Sequence, residues 1–138
     1  FNYSSGVNLY AKPTATNIFV AGGAYSTVSS TYFAYLFASC AGVSKVGTYS
    51  GTGATQTISC GFAARFVLIK RTDSTGNWWS WNSATGMVAG NNNRLPVNTY
   101  TVETNSNWVY TDASGFQIVT TDASVNASGG TYLYLAIA

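Results

Sequence analysis

The chain has no histidine among its 138 residues, which removes the commonest general base and the commonest metal ligand. Charge is also scarce, at 7% of residues, far below the roughly 25% of ordinary soluble domains. The basic residues are Lys12, Lys45, Arg65, Lys70, Arg71 and Arg94, and only Lys70 and Arg71 adjoin. A nucleic-acid binder needs a larger phosphate-neutralising patch, so nucleic acid is not an expected partner. No apolar run reaches the ~18 residues of a membrane span, and membrane insertion is not expected. The start at Phe1, with no initiator Met and no charged segment leading into an apolar one, reads as processed or cropped.

Cysteine and proline are sparse too. Cys40 and Cys60 would serve as one disulfide or as two buried thiols, and neither reading fixes a compartment. Pro13 and Pro96 both fall outside the expected strands, so the ladders of a sheet run uninterrupted.

What remains is apolar and uncharged polar material. At 46% hydrophobic, a chain of this length fills the core of one domain. Ser, Thr, Asn, Gly and the tyrosine hydroxyls supply most of the polarity. Such a surface is only weakly sensitive to salt and suits durable assemblies or sugar contacts better than electrostatic steering.

Period-2 patterns, β-branched residues and aromatics recur in short runs between Gly, Asn, Ser and Asp clusters, and no segment sustains a helical period. The expected fold is all-β, an antiparallel β-sandwich of jelly-roll or concanavalin-like kind. Strands are expected at 17–20, 32–38, 45–50, 55–59, 65–71, 78–82, 108–110, 116–120 and 132–137. Ser50-Gly51-Thr52-Gly53 and Asp73-Ser74-Thr75-Gly76 read as hairpin loops, Gly90 to Asn93 as a further loop, and Ser128-Gly129-Gly130 as the turn before the last strand. Phe66-Val67-Leu68-Ile69 is continuously apolar, the pattern of a central strand covered on both faces, so a polar residue at Leu68 should unfold the domain. Arg65, Lys70 and Arg71 read as charged ends that keep its edge soluble.

Residues 31–38 echo residues 131–138, about 100 positions later. On that basis 1–38 read as the closing strands of an earlier repeat, packed on or completing the main sheet, and 39–138 as the sandwich module.

The acidic residues Asp73, Glu103, Asp112 and Asp122 lie far apart in or beside loops. A glycosidase pair would need two of them about 5 to 9.5 Å apart; solvated turn residues are the simpler reading. Asp112 or Asp122 with nearby Asn and carbonyl oxygens would offer Ca²⁺ ligands, but no alternating string of Asp and Asn supports it. The expectation is therefore a protein without cofactor or metal, and not an enzyme. Asn2-Tyr3-Ser4 and Asn126-Ala127-Ser128 match the glycosylation pattern weakly, and no glycan is expected.

Alternation sends Trp79 and Trp81 to one face and Trp78 to the other. A partly exposed indole beside Asn77, Asn82 and Arg71 suits stacking on a sugar ring or anchoring a subunit interface; a tryptophan pair walling the core is the plainer alternative. Trp78, Trp79, Trp81, Arg71, Asn77 and Asn82 are thus the candidate ligand or interface residues.

Gly61-Phe62, the run from Phe66 to Asp73, Gly76-Asn77-Trp78, Trp81-Asn82-Ser83-Ala84 and the closing run from Val125 to Tyr132 together resemble a recurrent module of tailed-bacteriophage virion proteins. Tyr35-Leu36-Phe37-Ala38 and Tyr49-Ser50-Gly51-Thr52-Gly53 echo its strand and hairpin. Asn82 and Thr85 stand where that module tends to carry Asp and Arg. The resemblance implies a lectin-like β-sandwich on a tail fibre, tail tip or capsid surface. The expected role is virion assembly with host-surface attachment, the partners being copies of itself (a homo-oligomer, as in the trimers common among fibres), other virion proteins and host glycans. Alternatives are a carbohydrate-binding lectin module working through Trp79 or Trp81, and a secreted adhesin or filament subunit, favoured if Cys40 and Cys60 are bonded.

Overall fold

The computed structural model of the protein describes residues 35–138. The expected strand at 17–20, residues 31–34 of the echo and the Asn2 pattern lie outside the described residues. Phe37–Ala138 form one compact unit.

The unit is an all-β antiparallel sandwich. Its larger sheet contains β1 (Ser44–Ser50), β3 (Phe66–Arg71), β4 (Trp78–Asn82), β5 (Asn93–Pro96), β6 (Thr104–Asn105) and β9 (Thr131–Ile137), ordered β1-β9-β3-β4-β5-β6. The smaller contains β2 (Gln56–Ser59), β7 (Val109–Asp112) and β8 (Gly115–Ile118), ordered β2-β8-β7. A single helical turn, α1 (Ala123–Asn126), precedes β9.

Alternation along each strand builds the core. Val67 and Ile69 of β3, Trp81 of β4 and Tyr132, Tyr134 and Ala136 of β9 face Val109, Phe116 and Ile118 of the smaller sheet. Each such aliphatic or aromatic side chain removed from water contributes about 1.5–3 kcal/mol before chain entropy. Two glycines allow close approach. Opposite Tyr134, Gly47 of β1 leaves space for the phenol ring, which a Cβ there would meet at 2.8 Å. Gly115 lets β8 lie against β2, where a Cβ would overlap the Ile58 carbonyl oxygen.

Most of the expected strands form, with several corrections. Residues 35–38 carry no strand. The Ser50 to Gly53 turn is not a hairpin, because β1 pairs with β9 and β2 with β8; it carries the chain from one sheet to the other. β3 is central, between β9 and β4, yet its faces differ: Val67 and Ile69 are fully buried, whereas Phe66 and Leu68 are only partly covered. The core position is therefore Ile69 rather than Leu68. Nor does Lys70 mark a soluble edge. It is 8% exposed, and its Nζ donates to the Gly76 carbonyl at 2.7 Å, closing the β3–β4 turn. Pro96, expected outside any strand, ends β5 opposite Trp79; its missing N–H costs no ladder bond, since Val97 N donates to Trp78 O at 2.9 Å.

Candidate functional site

The inward positions of β4 and β5 build the most unusual corner of the molecule. Trp79 lies opposite Pro96 and Ser80 opposite Leu95, and continuing that register sets Arg94 beside Trp81. Fully buried Asn92 then ties this corner to the other sheet. Its Oδ1 accepts from Val109 N at 3.3 Å, and its carbonyl accepts from Ser106 N at 2.8 Å. Trp108, the residue before β7, is thereby held over Arg94.

The Arg94 guanidinium carbon lies 3.4 Å from the Trp108 ring centroid and 4.4 Å from that of Trp79. The two indoles meet edge-on, with centroids 5.6 Å apart and planes at 66°. At 3.4 Å only a stacked guanidinium fits over a ring, and a desolvated cation–π contact of this kind is worth about 2 kcal/mol. Burial pushes the guanidinium's pKa below its ordinary value, and the field of Asp122 opposes that shift; the group nonetheless stays charged at any physiological pH. No carboxylate bonds to it among the described residues.

The same corner gathers every buried side-chain polar atom without a hydrogen-bond partner among the described residues: Trp79 Nε1, Trp81 Nε1, Asn92 Nδ2, and Arg94 Nε and Nη1. All five are donors. Positions 79 and 81 alternate along β4, and Asn92, just before β5, stands two residues from Arg94 within it, so period-2 geometry sets each pair on one face.

The structure scatters the expected cluster around Trp79. Trp81 is 1% exposed and belongs to the core, which removes it as a sugar contact. Trp78 is half-buried on the opposite face, with its backbone N–H donating to Asn98 Oδ1 at 2.9 Å. Arg71 forms an ion pair with Asp73 at 2.7 Å and donates through Nη1 to Ala123 O at 3.0 Å, fastening β3 to α1. Asn77 Oδ1 accepts from Asn98 Nδ2 at 3.2 Å, a link between turns. Asn82 Oδ1 caps the turn after β4, accepting from Ala84 N at 3.0 Å and Thr85 N at 3.1 Å. Arg71, Asn77 and Asn82 thus take part in local structure, and Trp78 is half-buried on the other face. Trp79 keeps the company of Arg94 and Trp108 rather than of Asn77, Asn82 and Arg71.

Sequence reasoning missed Arg94, Asn92 and Trp108 as site residues. A signal was present, since Arg94 is the one basic residue after Arg71 and Trp108 the fourth tryptophan, but their meeting depends on the pairing of β5 with β4.

Asp73, Asp112 and Asp122 serve local structure. Asp112 Oδ1 accepts from Ser114 N at 2.9 Å and Ser114 Oγ at 2.7 Å, bonds that hold its carboxyl below the ordinary range. Asp122 caps α1 through Ser124 N at 2.8 Å. Glu103 is exposed. No group of three His, Cys, Asp or Glu side chains that could hold a metal converges among the described residues. Cys40 and Cys60 are free thiols, one exposed and one buried, so the disulfide is not formed. They do line one open pocket of about 430 Å³ with Lys45. Burial pushes the Cys60 thiol up in pKa, against a hydrogen bond to Tyr134 and the charge of Lys45. Among the described residues no helix is long and apolar enough to cross a membrane.

Fold and corner together define an antiparallel β-sandwich with an aromatic, cationic cluster on the inner side of one sheet. The chain belongs to the family described as Domain of unknown function (DUF7483), whose pattern matches residues 2–138. No curated protein and no solved structure matches it.

Proposed function

We propose that this chain is a structural module of a bacteriophage virion, displayed on a tail fibre or capsid surface, that assembles with copies of itself or with other virion proteins and contacts host glycans. Its work is binding rather than catalysis. The observation that carries the reading is the loop between β5 and β6, where Val97 is 52% exposed, Val102 75% and Tyr100 wholly so. Several large apolar side chains on one short surface loop are the mark of a contact surface. The near-absence of charge supports a durable interface of this type, and the motif resemblance supplies the setting.

Light scattering across a dilution series, with a co-sedimentation assay on the particle, tests the proposal. A stable oligomer or retention on the particle is expected, weakened by Tyr100→Ser with Val102→Ser. A monomer at every concentration that also leaves the particle overturns it. A lectin module is the second reading, favoured by the Arg94 corner. The filament-subunit reading loses the disulfide that favoured it.

A further inference from the structure

A guanidinium stacked 3.4 Å above an indole satisfies its charge through its face, but its N–H bonds point along its own plane and the π-face cannot accept them. Arg94 Nε and Nη1 are buried and unpaired. Beside them Trp79 Nε1, Trp81 Nε1 and Asn92 Nδ2 are unpaired donors too, and the Trp81 and Asn92 side chains are almost wholly buried. Buried donors with no acceptor are costly and rare; Trp81 and Asn92 lie in the core, but the half-buried Trp79 and Arg94 set three of the five side by side, which suits an oxygen-rich acceptor, preferably anionic. Arg94 as a residue is only half-buried, so part of its side chain reaches the surface. Trp79 and Trp108 are half-buried, leaving apolar aromatic surface on either side of the cation.

We propose that the Trp79–Arg94–Trp108 corner is a binding site for carboxylate-bearing sugars, with the carboxylate meeting Arg94 and the sugar ring lying against the exposed part of an indole. A guanidinium takes a carboxylate in its own plane, and an indole takes the apolar face of a pyranose. Apolar ligands supply no acceptor, and the hydroxyls of a neutral sugar accept hydrogen bonds without the negative charge that pairs with a guanidinium. This inference deepens the host-contact half of the proposed function and rests on it for the source of the ligand. Self-association is read separately by solution mass, so a failed sugar titration with assembly intact sinks the site and leaves the module.

The test titrates the intact chain with an oligosaccharide ending in a uronic or sialic acid, with its neutral counterpart and with sodium sulfate, following the indole N–H resonances by NMR and heat by calorimetry. The acidic sugar should bind, shift the Trp79 indole N–H and bind at least about tenfold more weakly to Arg94→Gln, the loss expected when a charge-assisted hydrogen bond goes. Arg94→Lys, which keeps the charge without the planar fork, should bind more weakly than the parent. If the glutamine variant fails to fold, the comparison of acidic with neutral sugar on the parent chain decides alone. Equal binding of both sugars, or no shift of the Trp79 resonance by the acidic sugar at about 10 mM, overturns the proposal. Sulfate binding as tightly as the acidic sugar does so as well, because the corner then takes an adventitious ion only.

Discussion

Asn126 Oδ1 accepts from Gln56 Nε2 at 2.8 Å across 70 residues of chain. The same side chain accepts from Thr52 N at 2.9 Å and donates to the carbonyls of Ala54 and Thr120 at 2.8 and 2.6 Å. One fully buried amide thus uses both its oxygen and its nitrogen to pin the inter-sheet crossover to α1. Its burial also places the amide nitrogen of the Asn126-Ala127-Ser128 pattern inside the fold, bonded to two carbonyls.

Asn126→Ala should therefore cost about 2 kcal/mol or more, because it removes a fully buried amide and leaves two donors and two acceptors on half-buried or exposed residues without their partner. Urea unfolding measures this. A loss under about 1 kcal/mol would show that water replaces the amide, and the hub would be incidental.

The two faces of β3 should respond differently to truncation. Ile69→Ala is expected to cost about 2–5 kcal/mol as a cavity in the core, and Leu68→Ala at least about 1 kcal/mol less, because its site is only partly covered. Equal losses would mean that Leu68 has a cover as complete as that of Ile69.

Gly115→Ala should destabilise by at least about 2 kcal/mol, since the new Cβ overlaps the Ile58 carbonyl and something in the β2–β8 pair must shift. Gly76→Ala, with nothing within 4 Å of its Cβ, should change stability by less than about 0.5 kcal/mol. Thermal melts of the two variants side by side decide it.

In alkali the buried tyrosines set the stability. Burial pushes Tyr49, Tyr132 and Tyr134 above the ordinary phenol value of 10.0. Their unfolded forms then release protons first, so stability is whole below about pH 10 and falls as pH rises further, by up to about 1.4 kcal/mol per pH unit for each phenol that stays protonated in the fold. Tyr49→Phe should flatten this slope and, by removing the 2.7 Å bond to Val125 O, cost about 1 kcal/mol at neutral pH. A stability that is level from pH 9 to 11 would contradict the assignment.

Thiol titration of the native protein should show one fast and one slow cysteine. Cys40 is exposed, while Cys60 is buried with a raised pKa, and the thiolate is the reactive form. Two equally fast thiols would place Cys60 at the surface.

The sequence by itself determined the all-β class, the β3–β4 hairpin and its aromatic alternation, because these follow from local period-2 patterning and turn chemistry. Trp78 to Asn82 was legible residue for residue, and the splitting of Trp79 and Trp81 from Trp78 came from the same alternation. The pieces it did not reveal are those with weak local signals: β5 carries only Asn93-Arg94-Leu95-Pro96, β6 is two residues long, and α1 is one turn held by the Asp122 cap and two tyrosine hydroxyls. The sheet order, with β9 inserted between β1 and β3, and the company Trp79 keeps were decided by tertiary structure alone. Alternation fixes which face a side chain takes, but its neighbours depend on which strands pair, and that is set by long-range burial between residues far apart in the chain. Arg94 is the clearest instance, a lone cation in the sequence that only the pairing of β5 with β4 and the tether of Asn92 to β7 carry between two indoles.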